Sequence, residues 1–110
     1  LVAAEDRLNF SEIFIEDAAG QLAESDLYSA VMSARQAFAH AVDALTAYHG
    51  EFGHSAKWRP RRIMAVRQES LSFEEYWRIE TMRDLNPKHP APWVEEVLAV
   101  CRHISHTLLV

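Results

Sequence analysis

An all-α fold is predicted for residues 1–110: a single domain forming a four- to five-helix up-and-down bundle whose third helix is broken. Three observations predict it. Apolar residues recur in steps of three and four along most of the chain, the spacing that lines one face of an α-helix. Only three glycines and four prolines interrupt it, and β-branched residues are sparse beside Ala, Leu, Glu and Arg. A length of 110 residues with 49% hydrophobic and 25% charged side chains suits one folded core and no more.

The first helical pattern runs from about Glu5 to Ala23, with Leu8, Ile15, Ala18, Ala19 and Leu22 on one side and Phe14 beside them. Gly20 weakens its end. Glu24, Ser25 and Asp26 then make a tight break, in which Ser25 or Asp26 caps the next helix. That second helix is the clearest element. Leu27, Ala30, Val31, Ala34, Phe38, Ala41, Val42, Leu45 and Tyr48 form one continuous stripe, and Gly50 and Gly53 end it. Its alanines would let a neighbouring helix approach closely.

Pro60 suits the first turn of a third element. This element divides into a short helix from Arg61 to Glu69 and a second piece reaching about Arg83. Ser72 and Glu75 make a capping box at the second piece, with Leu71 and Tyr76 as its hydrophobic staple. Pro87 and Pro90 exclude a helix interior between Asp84 and Ala91. Pro92 opens the last helix, whose inward stripe is Val94, Val97, Leu98, Cys101, Ile104 and Leu108. Nothing resembles a signal peptide or a membrane span, and Cys101 in its apolar run reads as a buried, reduced thiol. Together these point to a cytoplasmic protein. The start at Leu1 leaves room for an N-terminal neighbour, so the chain reads as a processed protein or a piece of a longer one.

A formal net charge of -5 argues against general polyanion binding. The charge is unevenly spread, however. Lys57, Arg59, Arg61, Arg62 and Arg67 fall in one stretch without an acid, so a local phosphate-binding patch competes with a solvated helix face. Lys57, Arg59, Arg61 and Arg62, with Lys88, are the candidate phosphate ligands. No glycine-rich phosphate loop, Ser-His-Asp signature or paired-cysteine motif is present, and no cofactor or metal is implied. Glu51 and His54 sit among glycines, while His103 and His106 face away from the apolar stripe as surface residues. Arg35 and His40 are five positions apart, roughly 140° around a helix, and read as structural.

Arg83 and His89 are the candidate catalytic pair. They flank a proline-bearing loop, so helical spacing does not hold them apart. An Arg can hold a phosphate with two hydrogen bonds, and a His titrates near neutral pH and can move a proton. Together they are the minimum for cleaving an RNA backbone without a metal. The alternative is a polar loop in which Arg83 pairs with an acid such as Asp84.

Four stretches carry a further pattern. Glu24 to Ala30 is a short acidic turn with an aromatic residue and an alanine opening the long helix. Ala34-Arg35-Gln36-Ala37-Phe38 and Ala41-Val42-Asp43-Ala44-Leu45 continue that helix to Gly50, with His54 after it. Arg83-Asp84-Leu85-Asn86-Pro87-Lys88-His89 stands just before the last helix. In these features the chain resembles the HEPN superfamily, small helical domains found beside nucleotidyltransferases and as ribonuclease toxins. The resemblance implies nucleotide or RNA-phosphate binding and a homodimer. Its enzymatic form is a metal-independent endoribonuclease of toxin–antitoxin type, with His89 as general acid/base and Arg83 as phosphate anchor. Active members commonly carry the Arg and His at the start of the last helix, whereas here Pro87, Pro90 and Pro92 make that segment a loop. Some family members with a proline-bearing loop at this place serve as non-catalytic binding modules. The alternative implied is therefore a dimerisation or interaction module, such as the helical partner of a nucleotidyltransferase.

Overall fold

The computed structural model describes residues 2–53 and 55–109. It contains five α-helices: α1 (Val2–Ala23), α2 (Leu27–Tyr48), α3 (Arg59–Ala65), α4 (Phe73–Glu80) and α5 (Ala91–Leu109), with a 3₁₀ turn at Ala56–Trp58 leading into α3. No strand occurs among the described residues, and no helix there is long and apolar enough to cross a membrane.

α1 and α2 form an antiparallel hairpin. Residue numbers run in opposite directions across its side-chain contacts: Arg7 meets His40 at 3.4 Å, Ser11 Oγ donates to the Ala37 carbonyl at 2.8 Å, and Gln21 bonds Ser33 at 2.7 Å. α2 is the hub, packing along α1, against α5 and onto α3. Ala30, Ala34, Ala37, Ala41 and Ala44 have no exposed surface, which is how neighbours reach its backbone on several sides. The inward stripe of α5 is as expected, with Trp93 added to it. Burial pushes the Cys101 thiol up to about 12, so it stays protonated and inert.

Three helices end in the same way, with a residue in the left-handed region and paired backbone hydrogen bonds. In α1 the residue is Ser25 (φ 59°), with Asp26 N–H donating to the Gln21 carbonyl and Ser25 N–H to that of Leu22. In α2 it is Gly50 (φ 93°), and in α4 it is Met82 (φ 55°). Ser25 therefore closes α1, and Asp26 occupies the N-cap position of α2 without a side-chain cap bond. Ser25 is exposed and carries a Cβ in a conformation that glycine adopts without steric cost. Ser25→Gly is expected to stabilise the fold by about 0.5–1 kcal/mol, a rise of a few degrees in Tm. An unchanged or lower Tm would show that the turn carries no such strain.

The broken third element is present with shifted bounds. α3 ends at Ala65, four residues before the expected Glu69, because Val66 turns extended (φ −100°, ψ 148°). Gln68 then bridges the connection: its amide accepts from Leu71 N–H at 2.9 Å and donates to the Leu71 carbonyl at 2.6 Å. Ser72 Oγ caps α4 by accepting from Glu75 N–H at 3.1 Å, as the capping-box spacing requires. Leu71 and Tyr76 are both buried in the core. α4 stops at Glu80, earlier than Arg83, at the Met82 turn. Two expected inward residues differ: Ala19 is exposed, and Tyr48 is half-exposed at the helix end.

Candidate functional site: a cationic–aromatic cleft on a buried ion network

α3 brings two cations to one buried acid. Arg59 and Arg62 are three residues apart and so share a face of α3, which lies against α2. Asp43, on α2, is 2% exposed. Arg59 donates to both of its oxygens, Nε to Oδ1 at 3.0 Å and Nη2 to Oδ2 at 3.3 Å. Arg62 Nη2 donates to Oδ1 at 3.1 Å and to the Ser55 carbonyl at 3.3 Å. Gly53 (φ 145°) packs on the same guanidinium, where an added Cβ would lie 3.1 Å from Nη1. Arg59 reaches further: its Nη1 donates to Glu80 Oε1 at 3.0 Å, and the Tyr76 hydroxyl donates to that same oxygen at 2.8 Å. Burial disfavours the Arg59 charge, but the bonds and charges of Asp43 and Glu80 outweigh it, and its pKa is raised. Burial, then the Glu80 contact, pushes the Tyr76 phenol well above its ordinary range. Both groups keep their protons at neutral pH.

Arg59, Tyr76 and Glu80 of this network form the floor of a cleft of about 650 Å³ between α2, α4 and the 3₁₀ turn that opens α3. Its volume is that of a small-molecule site. Arg35, Gln36 and Met32 come from α2, Lys57 from the 3₁₀ turn, and Trp77 and Glu80 from α4. Met32 is 54% exposed and Trp77 45%, so both present apolar surface to anything that enters. Trp77 is held from behind by Phe73, stacked at 6.2 Å with planes 11° apart. Arg35 and Lys57 make no ion pair among the described residues, and Lys57 lies over the Trp58 ring at 5.4 Å. The cleft thus joins an aromatic face, two available cations and a rigid polar floor.

The candidate phosphate ligands separate accordingly. Arg59 and Arg62 turn inward and direct their hydrogen bonds to Asp43, whereas Lys57 and Arg61 flank the exposed Trp58 ring, Arg61 at 5.0 Å. Lys88 is exposed on the loop between α4 and α5. Arg83 and His89 are exposed on that loop too, which is built of two successive turns closed by Leu85 N–H to the Met82 carbonyl and His89 N–H to that of Asn86. No side-chain hydrogen bond or ion pair joins them among the described residues, and neither lines the cleft. Asp84 pairs with Arg78 at 2.6 Å rather than with Arg83, and Arg78 also holds Glu96 of α5. His103 and His106 are exposed. His54, and with it the Glu51–His54 pair, lies outside the described residues.

His40 points away from the cleft and toward α1. Its ring lies between Phe10 and Phe14, 5.3 and 5.5 Å away, and its Nδ1 accepts from Arg7. Burial first, then Arg7, lowers its pKa, so it is a packing residue. Arg35 and Trp77 were not singled out as site residues by sequence. Their signal was slight: an arginine and a tryptophan on the solvent sides of amphipathic helices. Comparison of the chain with protein-family models, with curated proteins and with solved structures finds no match.

Proposed function

We propose that this chain is a HEPN-like helical domain that binds a nucleotide or RNA phosphate in the cleft between α2, α3 and α4. The observation that carries the reading is the meeting of exposed Trp77 with Arg35 and Lys57, which make no ion pair among the described residues, over a hydrogen-bonded floor. Every nucleobase has a π-face that stacks on an indole, and the phosphate supplies charge for two cations. The family part of the proposal rests on the sequence resemblance, the all-helical fold and the position of the Arg83-to-His89 segment before the last helix.

The test is binding of a fluorescently labelled single-stranded RNA in EDTA, read by anisotropy across a salt series. Trp77→Ala is expected to weaken binding about 5- to 100-fold, from the roughly 1–3 kcal/mol that a base–aromatic stack contributes. Arg35→Ala and Lys57→Ala should each flatten the salt dependence. Equal binding by all variants, or none by the unmodified protein, removes the cleft reading.

A cleaving version keeps the same cleft for the strand and uses Arg83 and His89. It is supported by their accessibility and by the absence of any partner holding either side chain among the described residues. Intact RNA after incubation with the unmodified protein, or equal cleavage by His89→Ala, leaves the non-catalytic module. Homodimerisation and a nucleotidyltransferase partner belong to the same proposal, and light scattering on the purified chain reads the first directly.

A further inference from the structure

The floor of the cleft carries one hydrogen-bond acceptor that the network does not use. Glu80 Oε1 takes both internal donors, Arg59 Nη1 and the Tyr76 hydroxyl. Glu80 Oε2 accepts none among the described residues, and the side chain keeps 26% exposure where it lines the cleft. The carboxylate is also immobilised, since Tyr76 holds it from one turn back on α4 and Arg59 from α3. A ligand filling the cleft must strip water from this oxygen, and that is costly unless the ligand returns a donor. Trp77 and Glu80 are three residues apart on α4, so the indole face and the free oxygen are neighbours on one side of the helix. Both line the cleft, so a ring stacked on Trp77 lies on the same side of α4 as Glu80.

Resting on the reading of the cleft as a nucleotide site, we propose that Glu80 determines base specificity. Its Oε2 accepts from the exocyclic amino group of the base stacked on Trp77, which selects amino-bearing bases over uracil. Cytosine projects an amino donor where uracil projects a carbonyl oxygen. The one ring N–H on uracil's pairing edge is recessed between two carbonyls, which a carboxylate oxygen meets with repulsion. A site built to accept a hydrogen bond discriminates strongly against a ligand that cannot donate one, because the acceptor that the ligand has stripped of water is then left unpaired. Arg35 and Lys57 take the phosphate of either nucleotide, so they contribute affinity without contributing to the choice.

The experiment is calorimetric titration of the purified protein with cytidine monophosphate and with uridine monophosphate, in EDTA. The cytidine nucleotide is expected to bind at least about tenfold more tightly. Methylating both hydrogens of its exocyclic nitrogen should remove the preference while leaving the protein untouched. Glu80→Gln keeps an acceptor for Arg59 and Tyr76 and turns a donor toward the base, so it should abolish or invert the ratio. Equal binding of the two nucleotides, or a preference that survives both the methylation and the substitution, overturns the role of Glu80 and leaves the cleft as a binding site. Binding of neither nucleotide overturns this inference, and if labelled RNA is also not bound, the reading of the cleft falls with it.

Discussion

Asp43→Ala is expected to destabilise the fold by about 3–5 kcal/mol, a large share of the roughly 5–15 kcal/mol that keeps an ordinary domain folded. Asp43 is 2% exposed and its carboxylate serves the guanidinium groups of Arg59 and Arg62, residues that are 6% and 7% exposed. Its removal leaves Arg59 with Glu80 alone and Arg62 with only the Ser55 carbonyl, where water has little access to either. The loss thus measures the cost of unpaired buried charge more than the strength of the original pairing. Urea unfolding followed by circular dichroism reads it directly. A triple variant that also replaces Arg59 and Arg62 with Met should recover much of the loss, because apolar side chains of similar length need no counter-charge. A loss below about 1 kcal/mol for Asp43→Ala alone would mean that Arg59 and Arg62 escape to solvent, which is the behaviour of a surface pair.

Phe38→Ala is the second large effect, also about 3–5 kcal/mol, for a different reason. Phe38 is 2% exposed on α2 and stacks on Tyr76 of α4 at 6.1 Å. Truncating it opens a cavity at the seam where α4 meets the hub helix. The midpoint of urea unfolding should fall with little change in slope, the mark of lost stability without a changed unfolded state. Phe38→Leu should cost distinctly less, since it keeps much of the volume. Tyr76 also donates to Glu80, so this seam and the Asp43 network share a member. The two substitutions combined should therefore depart from additivity. Ligand binding should weaken along with stability in Phe38→Ala, because Trp77 and Glu80 ride on the helix that Phe38 seats.

Much of the helical plan can be read along the chain. The stripe from Leu27 to Leu45 and that from Val94 to Ile104 declare their helices, because each rests on contacts that a 3.6-residue period places on one side. The Ser72 cap is equally local, set by two residues within one turn. Boundaries are less legible. α3 ends at Ala65, where Val66 turns extended, although no glycine or proline marks the place. Ser25 and Met82 close helices in a conformation usually left to glycine, so of the three left-handed turns composition marks only that at Gly50.

The candidate site was legible in part. The run from Lys57 to Arg67 announces positive charge without saying where each cation points. Helical spacing alone makes Arg59 and Arg62 neighbours, but they become interior residues only because Asp43 waits on α2, sixteen positions before Arg59. Trp77, Arg35 and Lys57 lie far apart in the chain, and the cleft exists only once α4 leans on α2 through Tyr76 and Phe38. Helix identity is a matter of neighbours within a turn or two, so the amino-acid order decides it. The pairing of charges and the opening of a cleft depend on which faces are brought together, and only packing decides that.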